Sequence, residues 1–200
     1  MNGPASTNYL VIKADAGELP LQSRSADMMI ATPPFIGAIR FRKGDYCTDD
    51  AQQYERWIGG FLAEAMRVMK PGAYLLMSGS REPRLTGVGK RRVEFGVFSK
   101  QQQNGRWLLK RIRTQAFWTH FMHVRSCWYA CRPSLYRELI VKYSRPGDVV
   151  VHVFSGSGNS GVAAIAENRR PVLIDRHYQR DALRRLANAD VRAGVAKLVP

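Results

Sequence analysis

The sequence predicts an α/β protein in which helices cover a mostly parallel sheet. Its 200 residues, 45% of them hydrophobic, are enough for the core of one such domain. Strand-like and helix-like segments alternate along most of the chain. The clearest unit lies within residues 144–175, where a strand at Val149–Phe154, a helix at Gly161–Asn168 and a strand at Val172–Ile174 follow one another.

A glycine motif stands at the turn between that strand and that helix. Gly156, Gly158 and Gly161 are spaced as G-x-G-x-x-G, and Asp175 follows about 20 residues beyond the first glycine. Glycine lets the backbone turn sharply and approach a ligand closely, and a carboxylate at the next strand's end can accept both ribose hydroxyls. The pattern predicts a nucleoside cofactor, although an ordinary βα turn and a dinucleotide-dependent oxidoreductase also fit it.

The first 80 residues follow the same α/β rhythm. They predict strands at Tyr9–Ala14, Ala26–Ala31 and Ala73–Ser78, and a helix at Gln53–Met69 between the last two. Asp15 comes directly after the first strand. The helix carries apolar side chains at helical spacing, which we interpret as core: Trp57, Ile58, Phe61, Leu62, Ala65, Val68 and Met69.

A rigid loop is predicted where the second strand ends. Thr32, Pro33, Pro34 and Phe35 follow it directly, and neither proline has an N–H with which to continue a ladder. Open α/β sheets bind ligands at the carboxyl ends of their strands. The loop is therefore a candidate for chemistry, although a plain strand-ending turn would have the same sequence.

The charge of the chain is strongly positive and unevenly distributed. The formal net charge is +15, and residues 81–113 alone contain ten Lys or Arg and two Glu. Such a concentration predicts a phosphate-contacting surface and hence a nucleic-acid partner. The candidate DNA contacts are Arg84, Lys90, Arg91, Arg92, Arg106, Lys110, Arg111 and Arg113.

A hairpin is predicted inside this basic segment, with strands at Val93–Phe98 and Arg106–Ile112. An aromatic-rich stretch follows, in which the side chains either stack on unpaired bases or belong to the core: Phe117, Trp118, Phe121, Trp128 and Tyr129. Helices are then predicted at Ser134–Tyr143 and Tyr178–Ala193.

Other classes of protein are disfavoured by composition. The sequence has no apolar run of membrane-spanning length and no signal-peptide pattern at its start, so we expect a cytoplasmic protein without a membrane partner. Its three cysteines, Cys47, Cys127 and Cys131, lack the spacing of a structural zinc site. We expect them to be reduced thiols and expect no metal.

Two motifs together resemble a known family. Thr32–Phe35 follows an early strand, and Phe154–Gly158 follows a later one that is preceded by Arg132-Pro133, a helix and Pro146-Gly147-Asp148. This order is similar to that of the N4-cytosine/N6-adenine DNA methyltransferases of the permuted β class. The resemblance covers residues 9–80 and 128–190. It implies a Rossmann-like S-adenosylmethionine-dependent methyltransferase fold with permuted motif order, in one domain of residues 1–200 with a small basic insertion at 81–118 in the target-recognition position.

The resemblance also implies roles for individual residues. Thr32, Pro33, Pro34 and Phe35 match the catalytic Asp/Asn/Ser-Pro-Pro-Tyr/Phe loop, and Arg132-Pro133 matches a Lys-Pro that opens the helix beside the cofactor. The cofactor, S-adenosylmethionine, is expected on residues of three strand ends: Asp15, Phe154, Ser155, Gly156, Ser157, Gly158 and Asp175. The expected partner is double-stranded DNA, and the expected acceptor is an exocyclic amino nitrogen, cytosine N4 or adenine N6, of a flipped base.

The chemistry of the loop agrees with that role. An exocyclic amine is a poor nucleophile because its lone pair is delocalised into the ring. Two acceptors aimed at its N–H bonds, the Thr32 hydroxyl and the Pro33 carbonyl, draw it toward tetrahedral geometry, while Phe35 stacks on the base. A base inside a duplex is out of reach and has to be flipped out.

The sequence departs from the family pattern in several places, one of which is Trp128–Cys131, where the family usually has His-Pro-Thr-Gln. Thr32 replaces Asp, Asn or Ser, and His152-Val153 stands where the family usually has Asp-Pro. These departures leave a second hypothesis open, in which the protein is a catalytically inactive relative that binds nucleic acid. Methyl transfer to RNA or protein is the remaining enzymatic alternative.

Overall fold

The computed structural model describes residues 9–34, 50–78, 91–119, 122–124, 127–130 and 132–193. Strands and helices alternate along them, as the sequence predicts. In chain order the elements are β1 (Leu10–Lys13), β2 (Ala26–Ala31), α1 (Ala51–Val68), β3 (Met69–Ser78), β4 (Arg91–Gln103), β5 (Arg106–Thr119), β6 (Met122–Val124), β7 (Cys127–Ala130), α2 (Pro133–Tyr143), β8 (Val149–Val153), α3 (Asn159–Ala166), β9 (Arg170–Asp175) and α4 (Gln179–Ala193).

Seven of these strands form one sheet in the order β1-β9-β8-β2-β3-β4-β5. The first five strands in this order are parallel, β4 is antiparallel to β3, and β5 is antiparallel to β4. From β8 the chain moves to β9 on one side, whereas from β2 it moves to β3 on the other. The boundary between β2 and β8 is therefore the point at which the direction of strand addition reverses, where open α/β sheets bind their ligands.

Helices cover both faces of the sheet because the central strands are apolar on both sides. On β2, Met29 belongs to the cluster that Phe61 of α1 completes, whereas Met28 and Ile30 belong to the cluster that Leu139 of α2 completes. All five side chains are fully buried. Neighbouring residues of a strand point to opposite faces, so the run of buried residues in β2 identifies a strand with helices on both sides.

The basic segment contributes to the sheet itself. The predicted hairpin is present, but its strands are longer than the sequence indicates, and β4 pairs with β3 from Tyr74↔Ser99 to Ser78↔Phe95. Residues 91–103 and 106–119 are thus strands of the main sheet, and the target-recognition role of residues 81–118 stays a prediction. Phe95 and Val97, which lie in the predicted strand Val93–Phe98, are both fully buried.

Two element boundaries also differ from the sequence prediction. Strand β3 begins at Met69, directly after α1, whereas the sequence predicts its start at Ala73. Helix α3 begins at Asn159, two residues before the predicted start, so the third glycine of the motif, Gly161, lies inside the helix. No helix in the described part of the chain is long and apolar enough to cross a membrane.

Candidate active site

The two sequence motifs meet at the carboxyl ends of β2 and β8. These strands are neighbours, with Ala31 opposite Val153, so the residues that follow them emerge side by side. The Thr32 backbone N–H donates to the Val153 carbonyl over 3.3 Å. The first residue of the proline loop is thereby fixed to the last residue before the glycine loop.

The Thr32 side chain makes a second connection between the motifs. Its hydroxyl donates to the Phe154 carbonyl over 2.8 Å, and its Oγ1 lies 3.2 Å from Nε2 of His152. Thr32 is half-buried, whereas His152 is almost fully buried. The hydroxyl therefore sits at the border between the core and the open edge of the sheet.

His152 is the buried partner in this arrangement. Its Nδ1 forms a hydrogen bond with Oγ of Ser160 on α3, and its ring lies 5.3 Å from the ring of Tyr136 on α2. Burial lowers the pKa of His152 from 6.5 to about 3, since a low-dielectric environment penalises the charged imidazolium. The imidazole is therefore neutral at physiological pH.

The glycine loop turns through left-handed backbone conformations. Phe154, Gly156 and Gly158 have φ angles of 62°, 53° and 83°. The turn at Phe154 places its ring beside the cluster that already contains Val153, where it lies 5.3 Å from Trp57 and 5.5 Å from Phe61. The ring consequently anchors the loop on α1, and the glycines shape its outer turn, with Ser155 and Ser157 buried beneath it.

Asp175 braces the glycine loop from the end of β9. Its Oδ2 accepts from the Gly156 N–H over 2.9 Å, and its Oδ1 accepts from the His177 N–H over 3.0 Å. Burial raises the pKa of Asp175, and the backbone N–H bonds oppose that rise. Each carboxylate oxygen retains a lone pair, so both can still accept a ligand hydroxyl.

Asp15 lies beside Asp175, as the sequence predicts for a residue that follows a neighbouring strand. The Ala14 N–H donates to the Asp175 carbonyl over 3.3 Å, and Asp15 Oδ1 accepts from the Gly17 N–H over 2.8 Å. Nε of Arg176 is 3.9 Å from Asp15 Oδ2. Two carboxylates and the glycine loop thus share one edge of the sheet.

The proline loop is held by α1. Pro33 is buried, and the Pro34 carbonyl accepts from the Tyr54 hydroxyl over 2.9 Å. Burial raises the pKa of Tyr54 to about 12, so the hydroxyl keeps its proton at physiological pH. Phe35 lies outside the described residues, and its stacking role stays a prediction.

The candidate DNA contacts are spread over both ends of the β4–β5 hairpin. Phe95 pairs with Ser78, the last residue of β3, and so marks the edge of the sheet at which the site lies. Arg91 is four residues beyond Phe95 on β4, so its backbone lies about 13 Å past that edge. Lys110 is level with Tyr74, near the opposite edge, and Arg106 lies further away at the turn.

Arg111 and Arg113 lie between these ends, opposite Phe98 and Val97. Arg106, Lys110, Arg111 and Arg113 are all exposed. Arg84, Lys90 and the side chains of Arg91 and Arg92 lie outside the described part. The structure thus brings the cofactor candidates together at one edge, whereas the basic candidates that it describes are spread along the hairpin.

Several contacts in the site were not predicted. Helical spacing places Trp57 in the core but gives it no role at the loop, nothing in the sequence singles out Tyr54, and His152 stands out only as the absence of the family's acid. The one sequence signal for His152 is that a polar residue interrupts the apolar run Val149–Phe154 at a position level with Ile30. A buried polar side chain needs a partner, and the adjacent strand end supplies Thr32.

Replacing Gly158 with alanine should destabilise the protein more than replacing Gly72 with alanine. The two glycines have similar left-handed φ angles, 83° and 78°, so both variants incur the same backbone strain. A Cβ at Gly158 would lie 3.1 Å from Cα and Cβ of Ala182, whereas a Cβ at Gly72 would meet nothing within 4 Å. Thermal unfolding of both variants measures the difference.

We expect the Gly158→Ala variant to unfold several degrees below the Gly72→Ala variant, because α4 has to move away from the loop. Equal unfolding temperatures would mean that the loop and α4 are less tightly packed than described.

These features define a class of protein. A doubly wound parallel sheet with a glycine loop, a carboxylate at the next strand end and a second loop at the switch point is the architecture of a Rossmann-like nucleotide- or nucleoside-site protein. The comparisons with known proteins identify the fold more narrowly. No protein-family model and no curated protein matches the sequence.

Solved DNA methyltransferases share the fold along nearly the whole chain. The PvuII DNA methyltransferase (cytosine-N4-specific) is 14% identical with a TM-score of 0.58, and the match covers 94% of this chain and 93% of that one. A candidate DNA modification methylase from Thermus thermophilus, complexed with S-adenosyl-L-methionine, is 16% identical with a TM-score of 0.53, covering 91% and 94%. The M1.HpyAVI–SAM complex is 16% identical with a TM-score of 0.52, covering 89% and 98%. The chain therefore has the methyltransferase fold that the sequence predicts.

Proposed function

We propose that this protein is an S-adenosylmethionine-dependent DNA methyltransferase that modifies an exocyclic amino nitrogen, cytosine N4 or adenine N6. The observation that carries the proposal is the hydrogen bond from the Thr32 hydroxyl to the Phe154 carbonyl, which joins the proline loop to the glycine loop. A group-transfer site needs its acceptor loop and its donor loop in contact. The fold shared with solved DNA methyltransferases supports the same reading.

The residues present fit S-adenosylmethionine. Gly156 of the glycine loop is only partly buried, and both oxygens of Asp175 can accept the two ribose hydroxyls while they hold Gly156 and His177. Asp15 lies on the same edge and would reach the adenine end. When bound, the cofactor supplies a methyl group that its sulfonium already activates, so no metal is required.

The proline loop would hold the acceptor amine. One lone pair of the Thr32 hydroxyl and the Pro33 carbonyl would each accept an N–H of the amine, which localises its lone pair on nitrogen. The Tyr54 hydroxyl steadies the loop through the Pro34 carbonyl, so the geometry exists before the base arrives. Phe35 would stack on the flipped base.

The test is methyl transfer itself. The protein is expressed in a bacterial host deficient in DNA methylation, and the host DNA is sequenced natively for modified bases. A methylated motif identifies both the target base and its site, whereas unmodified DNA is followed by calorimetry with the cofactor and by transfer of labelled methyl to DNA, RNA and protein. Cofactor binding without methyl transfer to any acceptor would contradict catalysis and leave the nucleic-acid-binding alternative. Methyl transfer to RNA or protein alone would mean that the substrate is not DNA.

Removing Arg91 and Arg92 should weaken DNA binding more than removing Arg106 and Lys110. Both double alanine variants lose two positive charges, but only the first pair lies at the site end of the hairpin. The DNA dissociation constant is measured against salt concentration, because each lost phosphate contact lowers the slope by roughly one. A larger loss for Arg106 and Lys110 would place the duplex on the opposite end of the hairpin.

A further inference from the structure

Two of the residues that depart from the family pattern, Thr32 and His152, are in direct contact. Thr32 and His152 are 120 residues apart in sequence, yet Oγ1 of one lies 3.2 Å from Nε2 of the other. Their strands are neighbours, with His152 opposite Ile30, so both side chains lie on the α2 face of the sheet. Thr32 and His152, which look like unrelated departures from the family pattern in the sequence, therefore form one interaction.

The hydrogen-bond inventory of this interaction fixes the tautomer of the imidazole. A hydroxyl has a single proton, and that of Thr32 goes to the Phe154 carbonyl over 2.8 Å. Oγ1 can then only accept from His152, which requires the proton to be on Nε2. Nδ1 is left as an acceptor, and the Ser160 hydroxyl on α3 can donate to it.

The other tautomer would change what Thr32 can do. With the proton on Nδ1, Nε2 becomes an acceptor and competes with the Phe154 carbonyl for the Thr32 proton. The Thr32 hydroxyl could then rotate between two acceptors, and its free lone pair would have no fixed direction. The Phe154 carbonyl, which can only accept, favours the tautomer with the proton on Nε2, and Ser160 is compatible with it because its hydroxyl can donate to Nδ1.

We propose that His152, held by Ser160, is a positioning residue that fixes the Thr32 hydroxyl with its proton on the Phe154 carbonyl and its remaining lone pair open toward the acceptor amine. This inference rests on the proposed function, because the amine is the group that the lone pair would meet. The planar side chain of Asp or Asn at this position directs its oxygens without help, whereas the hydroxyl of Thr32 can rotate. The hydrogen bond donated by His152 would restrict that rotation.

The burial of His152 supports the assignment. Its side chain is 1% exposed, and desolvation is the cause that lowers its pKa to about 3. The groups that face it are hydroxyls and a phenol ring: Thr32, Ser160 and Tyr136. An imidazole in these surroundings donates one hydrogen bond without becoming charged, so its orienting effect does not change across physiological pH.

The first experiment reads the tautomer without cofactor or DNA. In protein labelled with ¹⁵N-histidine, the ring nitrogens of His152 are assigned by comparison with His152→Gln, since the chain has four histidines. We expect a neutral ring with its proton on Nε2 and no titration between pH 5 and 8. A proton on Nδ1, or titration near pH 6.5, would overturn the inference.

Thermal unfolding gives a second reading of the same state. The native protein disfavours the imidazolium, whereas the unfolded chain takes up a proton near pH 6.5, so wild-type stability falls as the pH is lowered from 6.5 to 4. The rise in the pKa of Asp175 acts in the opposite direction but is common to both proteins. The unfolding temperature of wild type should therefore drop further over this range than that of His152→Gln.

Kinetics then test the role in transfer. We expect His152→Ala to lower kcat about tenfold, with KM for DNA and the cofactor dissociation constant within twofold of wild type, and His152→Gln to recover part of the loss. Ile140→Val, a buried change on α2 away from Thr32, controls for lost packing. If His152 acts through Thr32, adding His152→Gln to Thr32→Ala costs no further kcat.

The outcomes separate the inference from the proposed function. Additive losses, or a loss no larger than that of Ile140→Val, would show a merely structural histidine. If wild type transfers no methyl group to any acceptor, the proposed function fails and the role of His152 in transfer fails with it, while the tautomer measurement still decides the hydrogen-bond arrangement. If His152→Ala does not fold, His152→Gln and the tautomer measurement decide the inference.

Discussion

Replacing Thr32 with alanine is expected to lower kcat by about two to three orders of magnitude while cofactor affinity stays within a fewfold of wild type. Removing one preorganised polar partner of a reacting group has an effect of this size. The hydroxyl is oriented by two fixed neighbours, the Phe154 carbonyl and His152, so alanine removes an acceptor whose direction is already set. Single-turnover methyl transfer and calorimetry measure the two quantities.

Thr32→Ser is the matched control for this prediction. It keeps the hydroxyl and removes only a methyl group, so at least a tenth of the wild-type rate should remain. Serine gains rotational freedom, and the part of the rate that is lost reports how much the β-branched side chain contributes to orientation. If Thr32→Ala had the same kcat as wild type, Thr32 would have no role in methyl transfer.

Asp175→Ala is expected to weaken cofactor binding at least 100-fold. The variant loses both of the proposed acceptors for the ribose hydroxyls and also the bonds that brace Gly156 and His177. A group that binds two hydroxyls and preorganises the loop contributes to affinity in both ways. Calorimetric titration of the protein with the cofactor measures the effect without DNA.

Two variants separate ligand contact from loop stability in that experiment. Asp175→Asn keeps one acceptor oxygen, so its cofactor affinity should lie between those of wild type and Asp175→Ala. Asp148→Ala removes a carboxylate that also accepts a backbone N–H, from Arg145, but at the opposite end of β8. It should lower the unfolding temperature and leave cofactor affinity unchanged. Equal affinity for Asp175→Ala and wild type would place the cofactor elsewhere.

The sequence predicted the fold well where hydrophobic patterns are local. The strand Ala26–Ala31 has the predicted bounds, and helix α1 begins and ends within two residues of the prediction. The pattern located β4 but gave it too short, because polar and charged residues continue the strand beyond the apolar run Val93–Phe98. The continuation of β3 from Met69 through Pro71 and Gly72 was also missed, since both residues usually interrupt a strand.

The site was predictable in its motifs but not in its supports. Thr32, Asp15, Asp175 and the glycine loop follow strand ends, and strand ends of a parallel sheet meet at one edge. The contacts from Tyr54 and Trp57 depend on how α1 lies across that edge, which periodicity does not specify. The pairing of Thr32 with His152 depends on the strand order, because β2 and β8 become neighbours only when the whole sheet is assembled.

That strand order has a consequence for how the protein folds during its synthesis on the ribosome. The contact that joins the two loops spans 122 residues, and the chain between its ends includes the helix α1 and the whole β4–β5 hairpin. Closing so long a loop has an entropic cost, so we expect the pairing of β2 with β8 to form late in folding. A nascent chain that has emerged only as far as β5 has the proline loop but no glycine loop beside it. We therefore expect the proposed activity to require synthesis through β8 and the glycine loop, and a chain that ends after β5 to have none of it.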